Sequence, residues 1–503
     1  MRKKISSFLA YGFILCALTG CSTLENNHRQ KEPMMTSYMM GDNAQTLSLV
    51  GKKLKEPAWY NSSVINTGDE LVWRLEAGSL NFNLGNYQEA IDQLKRAEEL
   101  IEEYDDRALI SLRDLSTEAA TAVTNLNALP YRGLCRDRIA LSIYKSLAYL
   151  GNGDESAFRA QLNRLRNEQK RVKDDYDKYF DADKKQMDAT LDSHKDVAKK
   201  VKSDASPEAM AANEKNEQFS VGWNEAKAIG DKGYGDFMNP AAIFLSGLGS
   251  VRDGNFDNAR IDFERLCKAM PNNPIFKRYY VTSLVKAGRE IPSDYKGVKP
   301  FDFPLDHDCV YVIAAHGRTA AFRQIDIYFP IMFAFPVCEY YPAPFSFVSV
   351  GADGQAHQAV PLADMDAIHS QEFTTRLPAM IIRTITSTLI KEAAYFAALE
   401  SLHNSDLPSE RRHAAELAVS LGGAAYRIAM NTADTRSWEI LPKEFLLTQF
   451  PMPQNRTLTI QLTGQIQQNL AVDIPADSRS AILYINAPSP YNVSCQVLPI
   501  KSK

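Results

Sequence analysis

One histidine, His316, is a candidate for general base catalysis. His316 ends an apolar, strand-like segment and precedes Gly317, a position from which an imidazole can serve as a general base. The sequence identifies no carboxylate to orient it. The motifs GxSxG, HExxH, GxxxxGK[ST] and, between a strand and a helix, GxGxxG are also absent. We therefore expect no catalytic constellation and no cofactor, and predict that the chain is not an enzyme.

A second candidate lies in the segment ADTRSW (433–438). Asp434 and Arg436 have the two-residue spacing of a local ion pair, and Trp438 can stack on that pair. Two interpretations stay open. In the first, the three side chains contact a ligand or partner. In the second, Trp438 anchors a loop, and Arg436 holds the backbone of that loop.

The cysteines do not point to a metal. Cys16 falls in an N-terminal apolar run, and five of the seven cysteines lie beyond residue 100, with no CxxC pair and no histidine at zinc spacing. We predict no metal site. Cys309 and Cys338 fall in consecutive strand-like segments and are either bridged, in an oxidising compartment, or free.

The start of the chain predicts a membrane anchor. A basic stretch (2–4) and an apolar run (5–17) precede Leu-Thr-Gly-Cys, which resembles the lipobox of bacterial lipoproteins. We predict a signal peptide over 1–20, lipidation of Cys21 and a polar tether over 21–46. Ser22 replaces the Asp that marks inner-membrane retention, which favours the outer membrane, with the face left open.

The composition of the chain limits the number of domains and the class of partner. The chain is 45% hydrophobic and 23% charged, as is usual for globular proteins, and 503 residues suffice for two or three domains. A formal net charge of −4, without a basic stripe, argues against nucleic acid as a partner.

The first of these domains is predicted to consist of helical repeats. The segment 71–104 has small and aromatic residues at tetratricopeptide offsets, and 241–271 repeats the pattern. The signature residues are Gly78, Gly85, Tyr87, Ala90 and Ala97 in the first copy, and Gly247, Gly254, Phe256, Ala259 and Pro271 in the second. We expect a tetratricopeptide-like domain over 47–290, an eroded middle repeat, and a charged helical arm near 157–202.

Beyond residue 305 the pattern changes to strands, helices and strands again. Runs such as CVYVIAA (309–315) and QIDIYF (324–329) are rich in β-branched and aromatic residues. Two helices are expected over 362–375 and 378–402, on either side of Pro378. We therefore predict an α+β fold: a helical solenoid followed by a separable domain, 305–503, with one mixed sheet.

Together, these features resemble an uncharacterised family of Gram-negative tetratricopeptide-repeat-bearing lipoproteins. The resemblance rests on the lipobox, the repeats, and the segments VIAAHGR (312–318), FPIMFAFPV (329–337), 362–394 and 433–442. It implies the compartment and the architecture and supplies no catalytic residue.

These expectations lead to a ranked set of functions. The first is an interaction scaffold in the cell envelope, whose helices offer a groove to a protein or peptide; Arg74 and Asn81 are predicted to face that groove. A cell-wall polymer is a further possible partner for the second domain. The alternatives are a nutrient-capture lipoprotein of an outer-membrane transporter and, last, a cell-wall-modifying enzyme.

Overall fold

The computed structural model describes residues 27–58, 61–113, 130–193, 206–235, 237–329, 331–405, 407–430 and 432–501. Cys21, the predicted signal peptide and the end of the predicted arm (194–202) lie outside these ranges. No helix within them combines the length and the apolar character needed to cross a membrane.

Helices make up the first part of the described chain. They are α1 Asn27–Met39, α2 Asn43–Lys53, α3 Glu70–Asn83, α4 Tyr87–Arg113, α5 Cys135–Gly151, α6 Glu155–Ser193, α7 Pro207–Ala211, α8 Glu217–Gly230, α9 Pro240–Arg252, α10 Phe256–Ala269 and α11 Pro274–Lys286. Two more, α12 Met365–His403 and α13 Ser409–Met430, lie between strands.

Three helical hairpins follow one another: α3 with α4, α5 with α6, and α9 with α10. Each turns at a glycine with positive φ (Gly85, Gly153 or Gly254), a conformation that glycine adopts without steric cost. Helix α4 also contacts α5, α6 contacts α9, and α10 contacts α11. The predicted helix pairs are confirmed, and the eroded middle pair forms too. Their identity as tetratricopeptide repeats stays a prediction.

Small residues do bring the paired helices together. A Cβ on Gly78 would lie 2.5 Å from Leu94, and one on Gly247 would lie 2.7 Å from Phe263. The Leu94 side chain thus lies closest to Gly78 across the first hairpin. The signature residues Ala90, Ala97 and Ala259 are fully buried, Tyr87 and Phe256 are half-buried, and Pro271 is exposed.

The strands form three sheets. They are β1 Cys309–His316, β2 Ala321–Phe329, β3 Ile331–Glu339, β4 Phe345–Ala352, β5 Gln355–Gln358, β6 Val360–Asp364, β7 Glu444–Pro451, β8 Thr457–Gly464, β9 Gln468–Asp473, β10 Ser480–Ser489 and β11 Asn492–Ile500. The sheet orders are β11-β10-β1-β7-β6, β2-β3 and β5-β4-β8-β9, and only β1 and β10 pair in parallel. The α+β class is confirmed, whereas the prediction of one mixed sheet is wrong.

The five-stranded sheet lies between two layers. Alternate residues of a strand point to opposite faces. Tyr311 and Ile313 of β1 belong to the core shared with the helices, while Val310 and Val312 belong to a second core shared with β4 and β8. All eight residues of β1 are therefore buried, which explains its unbroken apolar sequence. The layers are helices, the five-stranded sheet and the four-stranded sheet.

The two predicted domains, 47–290 and 305–503, pack against each other, and their separability stays a prediction. One hydrophobic core contains residues from both 47–290 and 305–503. Phe82 of α3 packs edge-on against Tyr484 of β10, with ring centroids 4.8 Å apart, and Phe244 of α9 lies 6.5 Å from Tyr311 of β1. The helical surface expected to form an open groove is thus covered by the chain's own sheet.

The tether predicted over 21–46 is wrong for the described residues. Residues 27–39 form α1, and α2 begins at Asn43. Met34, Met35 and Tyr38 of α1 are buried in the shared core, although Pro33 and the surrounding polar residues conceal the pattern.

Two further elements differ from expectation. Helix α12 runs through Pro378 as one helix, because Leu377 and Ile381 on either side are fully buried and their packing outweighs the helix-breaking effect of proline. The predicted arm begins as the helix α6, but its first half does not project: Leu162 and Leu165 are buried, and α6 packs on α9.

Candidate functional site

The loop 432–443, between α13 and β7, contains three of the residues singled out from the sequence. The Arg436 guanidinium forms two parallel bonds with the Asp434 carboxylate, Nε to Oδ1 and Nη2 to Oδ2, both 2.8 Å long. The predicted local ion pair is confirmed. Trp438 does not stack on it, since the ring beside Arg436 is that of Tyr131, 5.7 Å from the guanidinium carbon.

Trp438 instead faces the helices. Its side chain is fully buried, and its indole Nε1 donates to Ser79 Oγ of α3 over 3.0 Å. Its ring centroid lies 5.6 Å from that of Tyr144 in α5. Trp438 therefore anchors the loop, as the second interpretation proposed, and it does so by contacts with α3 and α5. We call the contact between loop 432–443 and helices α1, α3 and α5 the seam.

Glu76 of α3 is at the centre of the seam. Its carboxylate accepts a bond of 2.7 Å from Lys31 Nζ of α1 and bonds of 2.8 and 2.9 Å from the backbone N–H groups of Glu439 and Ile440. Lys31 Nζ also donates to Ser437 O. The side chains of both Lys31 and Glu76 are 0% exposed. A single buried ion pair thus joins the first helix, a hairpin and the late loop.

The seam has a partly exposed end around Glu439. This buried carboxylate bonds to Arg318 Nη2 over 2.7 Å and to His28 Nδ1 over 3.2 Å. The Arg318 guanidinium lies 3.9 Å from the ring centroid of Tyr341, whose hydroxyl donates to Glu339. His28 is 18% exposed and Glu339 37%. The Arg318 guanidinium and the His28 imidazole therefore both bond to the Glu439 carboxylate.

The pKa values of Glu76 and Glu439 are shifted in opposite directions. Burial raises the pKa of both. For Glu76 burial prevails: although Lys31 lowers it, the pKa stays above its usual value. For Glu439 the bond to His28 and the charges of Lys31 and Arg318 outweigh burial and hold the pKa below its usual value.

Arg136 of α5 closes the other end of the seam. Its buried guanidinium donates from Nη1 to Thr319 Oγ1 over 2.8 Å and from Nη2 to Trp438 O over 3.2 Å. Its Nε bonds to Asp137 over 3.2 Å. Glu372 of α12 accepts from the backbone N–H groups at the start of α5. These charge-assisted hydrogen bonds join α5 to the β1–β2 connection, to loop 432–443 and to α12.

His316 lies away from the seam, at the end of β1. Its Nδ1 bonds to Glu444 of β7 over 2.9 Å, and its Nε2 accepts from the Phe345 N–H over 3.2 Å. The acidic partner that the sequence did not identify is therefore present, 128 residues later. Because both ring nitrogens are bonded and the side chain is 3% exposed, His316 joins two sheets rather than offering a free base.

Arg74 and Asn81 do not face a groove. Arg74 donates to Glu70 over 3.0 Å and to Gln93 over 2.8 Å, within its own hairpin. Asn81 is buried, and its Nδ2 donates to Ala77 O. Both side chains are thus bonded within their own hairpin, and contact of either with a partner stays a prediction.

The five cysteines that the structure describes, from Cys135 to Cys495, are free. Cys309 and Cys338 belong to different sheets, which explains why they do not pair. Burial raises the pKa of Cys338 to about 12, so its thiol stays protonated. Within the described ranges, no group of three or more His, Cys, Asp or Glu side chains is arranged to hold a metal ion.

Sequence reasoning missed most of the seam. Lys31, Glu76, Arg136 and Glu439 were not singled out, although Glu76 interrupts the otherwise apolar face of LVWRLEAGSL (71–80). A charged residue inside such a face is a usable signal, since buried charges are nearly always paired. Comparisons with protein-family models, with curated proteins and with solved structures found no match. The resemblance to the lipoprotein family stays a prediction.

Proposed function

We propose that the protein is a lipid-anchored interaction protein of the outer membrane whose first helix fixes the orientation of the whole body. The observation that supports this most is the burial of α1. Asn27, its first residue, lies six positions after Cys21, and Lys31 is 0% exposed against Glu76. Six extended residues reach at most about 20 Å. An acyl group on Cys21 would therefore hold the body close to the bilayer.

A fixed body suits an interaction protein. Helix α1 is bonded to α3 through Glu76 and to the late loop through Ser437 O. An anchor joined to α1 therefore holds the hairpins and the sheets together as one unit. Preorganised surfaces bind partners with a smaller loss of entropy than surfaces on a flexible tether.

The partner we propose is an envelope protein or peptide, bound on the outer surface of α10 and α11. Ile261 of α10 is 45% exposed and Val285 of α11 is 50% exposed, and the two helices are neighbours. Exposed aliphatic side chains of this kind form the apolar centre of protein interfaces. The inner surface of the hairpins is not available, because the five-stranded sheet covers it.

Membrane fractionation tests the anchor. Cys21→Ser should move the protein from the membrane pellet to the soluble fraction after carbonate extraction, since it removes the acyl acceptor. Cys495→Ser, at a half-buried thiol in β11, is the matched control and should stay in the pellet. A Cys21→Ser protein that stays in the pellet would refute the anchor.

Site-specific crosslinking tests the partner surface. A benzophenone side chain at Ile261 should give a discrete crosslinked species in intact cells. The same group at Gln88, an exposed residue of α4, should give none. Equal yields at the two positions would argue against an interface on α10.

A further inference from the structure

The outer face of the four-stranded sheet, β5-β4-β8-β9, is almost without charge. Asp473 is the only Asp, Glu, Lys or Arg in the four strands, whereas these residues make up 23% of the whole chain. The inner side chains of this sheet, such as Val350, Ile460 and Leu462, are buried in the second core. The outer ones are exposed: Thr459, Gln461 and Asn469 all face solvent.

The strand register arranges these outer side chains in rows. One row crosses all four strands through Gln358, Ser349, Gln461 and Asn469. With strands about 4.8 Å apart, this line of three amides and a hydroxyl extends over about 14 Å. The side chains of Gln358, Gln461 and Asn469 make no hydrogen bond to the rest of the described chain. Their donors and acceptors are therefore available to a ligand.

The two neighbouring rows differ in size. On one side Ala356, Gly351, Thr459 and Ala471 form a row of small residues, which leaves the surface beside the amides shallow. On the other side Phe347, paired with Thr463, is 56% exposed. A shallow row and an aromatic ring thus flank the line of amides.

Two more apolar side chains extend the rim beyond Phe347. Ile466 is 38% exposed in the turn between β8 and β9, and Tyr491 is 62% exposed in the turn between β10 and β11. These turns are joined, since Gln468 Nε2 donates to Pro490 O over 2.8 Å. The turns that carry Ile466 and Tyr491 therefore lie next to each other.

We propose that this face binds an uncharged glycan chain. Amide and hydroxyl groups in a line match a ligand that is rich in hydroxyl or acetamido groups along its length. The lack of charge favours a neutral polymer over an anionic one, because nothing on the face would neutralise an anion. Phe347 and Tyr491 offer aromatic surface to the C–H faces of sugar rings, as apolar contacts do in other ligand sites.

A sheet face that only contacts solvent would be expected to carry charged residues on its edge strands. Edge strands usually carry charged residues, lysine above all, that prevent pairing with other chains. Here β5 (QAHQ) has no such residue, and β9 (QNLAVD) has only Asp473, whose Oδ1 accepts from Thr457 within the sheet. A face that omits this protection serves a ligand for which charge is unfavourable.

Calorimetric titration of the full chain in detergent tests the proposal, with chitohexaose and cellohexaose as probes. We expect binding of at least one, and a preference for chitohexaose would identify acetamido groups as the target. The double variant Gln461→Ala with Asn469→Ala should bind about tenfold more weakly. Phe347→Ala should bind roughly fivefold more weakly. Because these side chains are exposed, melting temperatures should stay unchanged and report intact folding.

Gln88→Ala, at an exposed glutamine on α4, is the matched control and should bind like the parent. Failure of the parent to bind either hexaose at millimolar concentration would overturn the proposal, as would binding that the two sheet variants leave unchanged. A dimer in sedimentation that Phe347→Asp dissociates would instead assign the face to self-association. None of these results depends on the lipid anchor.

Discussion

The seam and the outer face of the four-stranded sheet have opposite distributions of charge. The seam buries Lys31, Glu76, Arg136 and Glu439, whereas the exposed sheet face carries one charged residue, Asp473. In most proteins the interior is apolar and the surface is charged. The difference teaches that charge here fixes the position of one element against another, while the surface without charge is left for contact with something outside the chain. The two regions should therefore respond to mutation in opposite ways.

The largest effect is expected from removing one side of the seam altogether. A fragment that ends before Pro292 lacks the sheets and loop 432–443, and exposes the surfaces of α3, α5 and α9 that they cover. We expect a helical circular-dichroism spectrum without a cooperative thermal transition, because the shared core is lost. A sharp transition in this fragment would show that the hairpins fold by themselves, as their sequence suggested.

Breaking the central ion pair should have the next largest effect. Lys31→Ala leaves the Glu76 carboxylate buried without its cation, which usually costs about 3–5 kcal/mol of unfolding free energy. Urea denaturation measures this loss. Lys52→Ala, at an exposed lysine of α2, should change stability by no more than about 0.5 kcal/mol.

A second variant sharpens the interpretation of Lys31→Ala. Replacing the pair together, as Lys31→Met with Glu76→Gln, removes both charges and leaves one amide oxygen, which can keep one of the two bonds from the Glu439 and Ile440 N–H groups. This double variant should be more stable than Lys31→Ala alone. If it is less stable, the loss arises from packing and not from an uncompensated charge.

The two carboxylates of the seam should have opposite effects on acid stability. The folded-state pKa of Glu439 is lowered, so its contribution is present above the unfolded-state pKa and is lost as pH falls. The folded-state pKa of Glu76 is raised, so its protonation on acidification favours the folded state. Glu76→Gln should therefore steepen the loss of stability on acidification from neutral pH, whereas Glu439→Gln should flatten that loss below the unfolded-state pKa of a glutamate, about 4.3. Denaturation midpoints between pH 7 and pH 2 measure both slopes, and equal slopes would contradict the assignment.

The smallest effect on stability is expected on the sheet face. Thr459→Lys adds a charge to an exposed position that makes no contact with the core, so the free energy of unfolding should change by at most about 0.5 kcal/mol. Thermal denaturation provides the measurement. A loss as large as that of Lys31→Ala would mean that the face packs against part of this chain and is not free.

Local patterns predicted much of the fold. Gly85 and Gly254 identified their helical turns, and CVYVIAA identified a strand, because these signals reside within a few adjacent residues. What could not be predicted is pairing across the chain. The carboxylate beside His316 is Glu444, and nothing in either segment specifies the other.

The same limit explains the error at α1 and the missed seam. The buried residues of α1 are few, and polar residues and Pro33 surround them, so the segment has the composition of a tether. Its helical state depends on partners such as Glu76 and Ser437. In the loop, the spacing of Asp434 and Arg436 predicted their ion pair. The hydrogen bond from Trp438 to Ser79 could not be predicted in this way, because α3 is distant in sequence.

The burial of α1 also sets an order of events during folding. Tyr38 O accepts from Asn492 Nδ2, and Met39 O accepts from Ser489 Oγ, residues that are synthesised 454 and 450 positions later. The first described helix to emerge is therefore among the last to find its partners, since its docking must await the final hairpin. Contacts so distant along the chain form slowly. Until they do, the docking of α1 is incomplete, and a factor that shields apolar side chains such as Met34, Met35 and Tyr38 would speed the recovery of native protein.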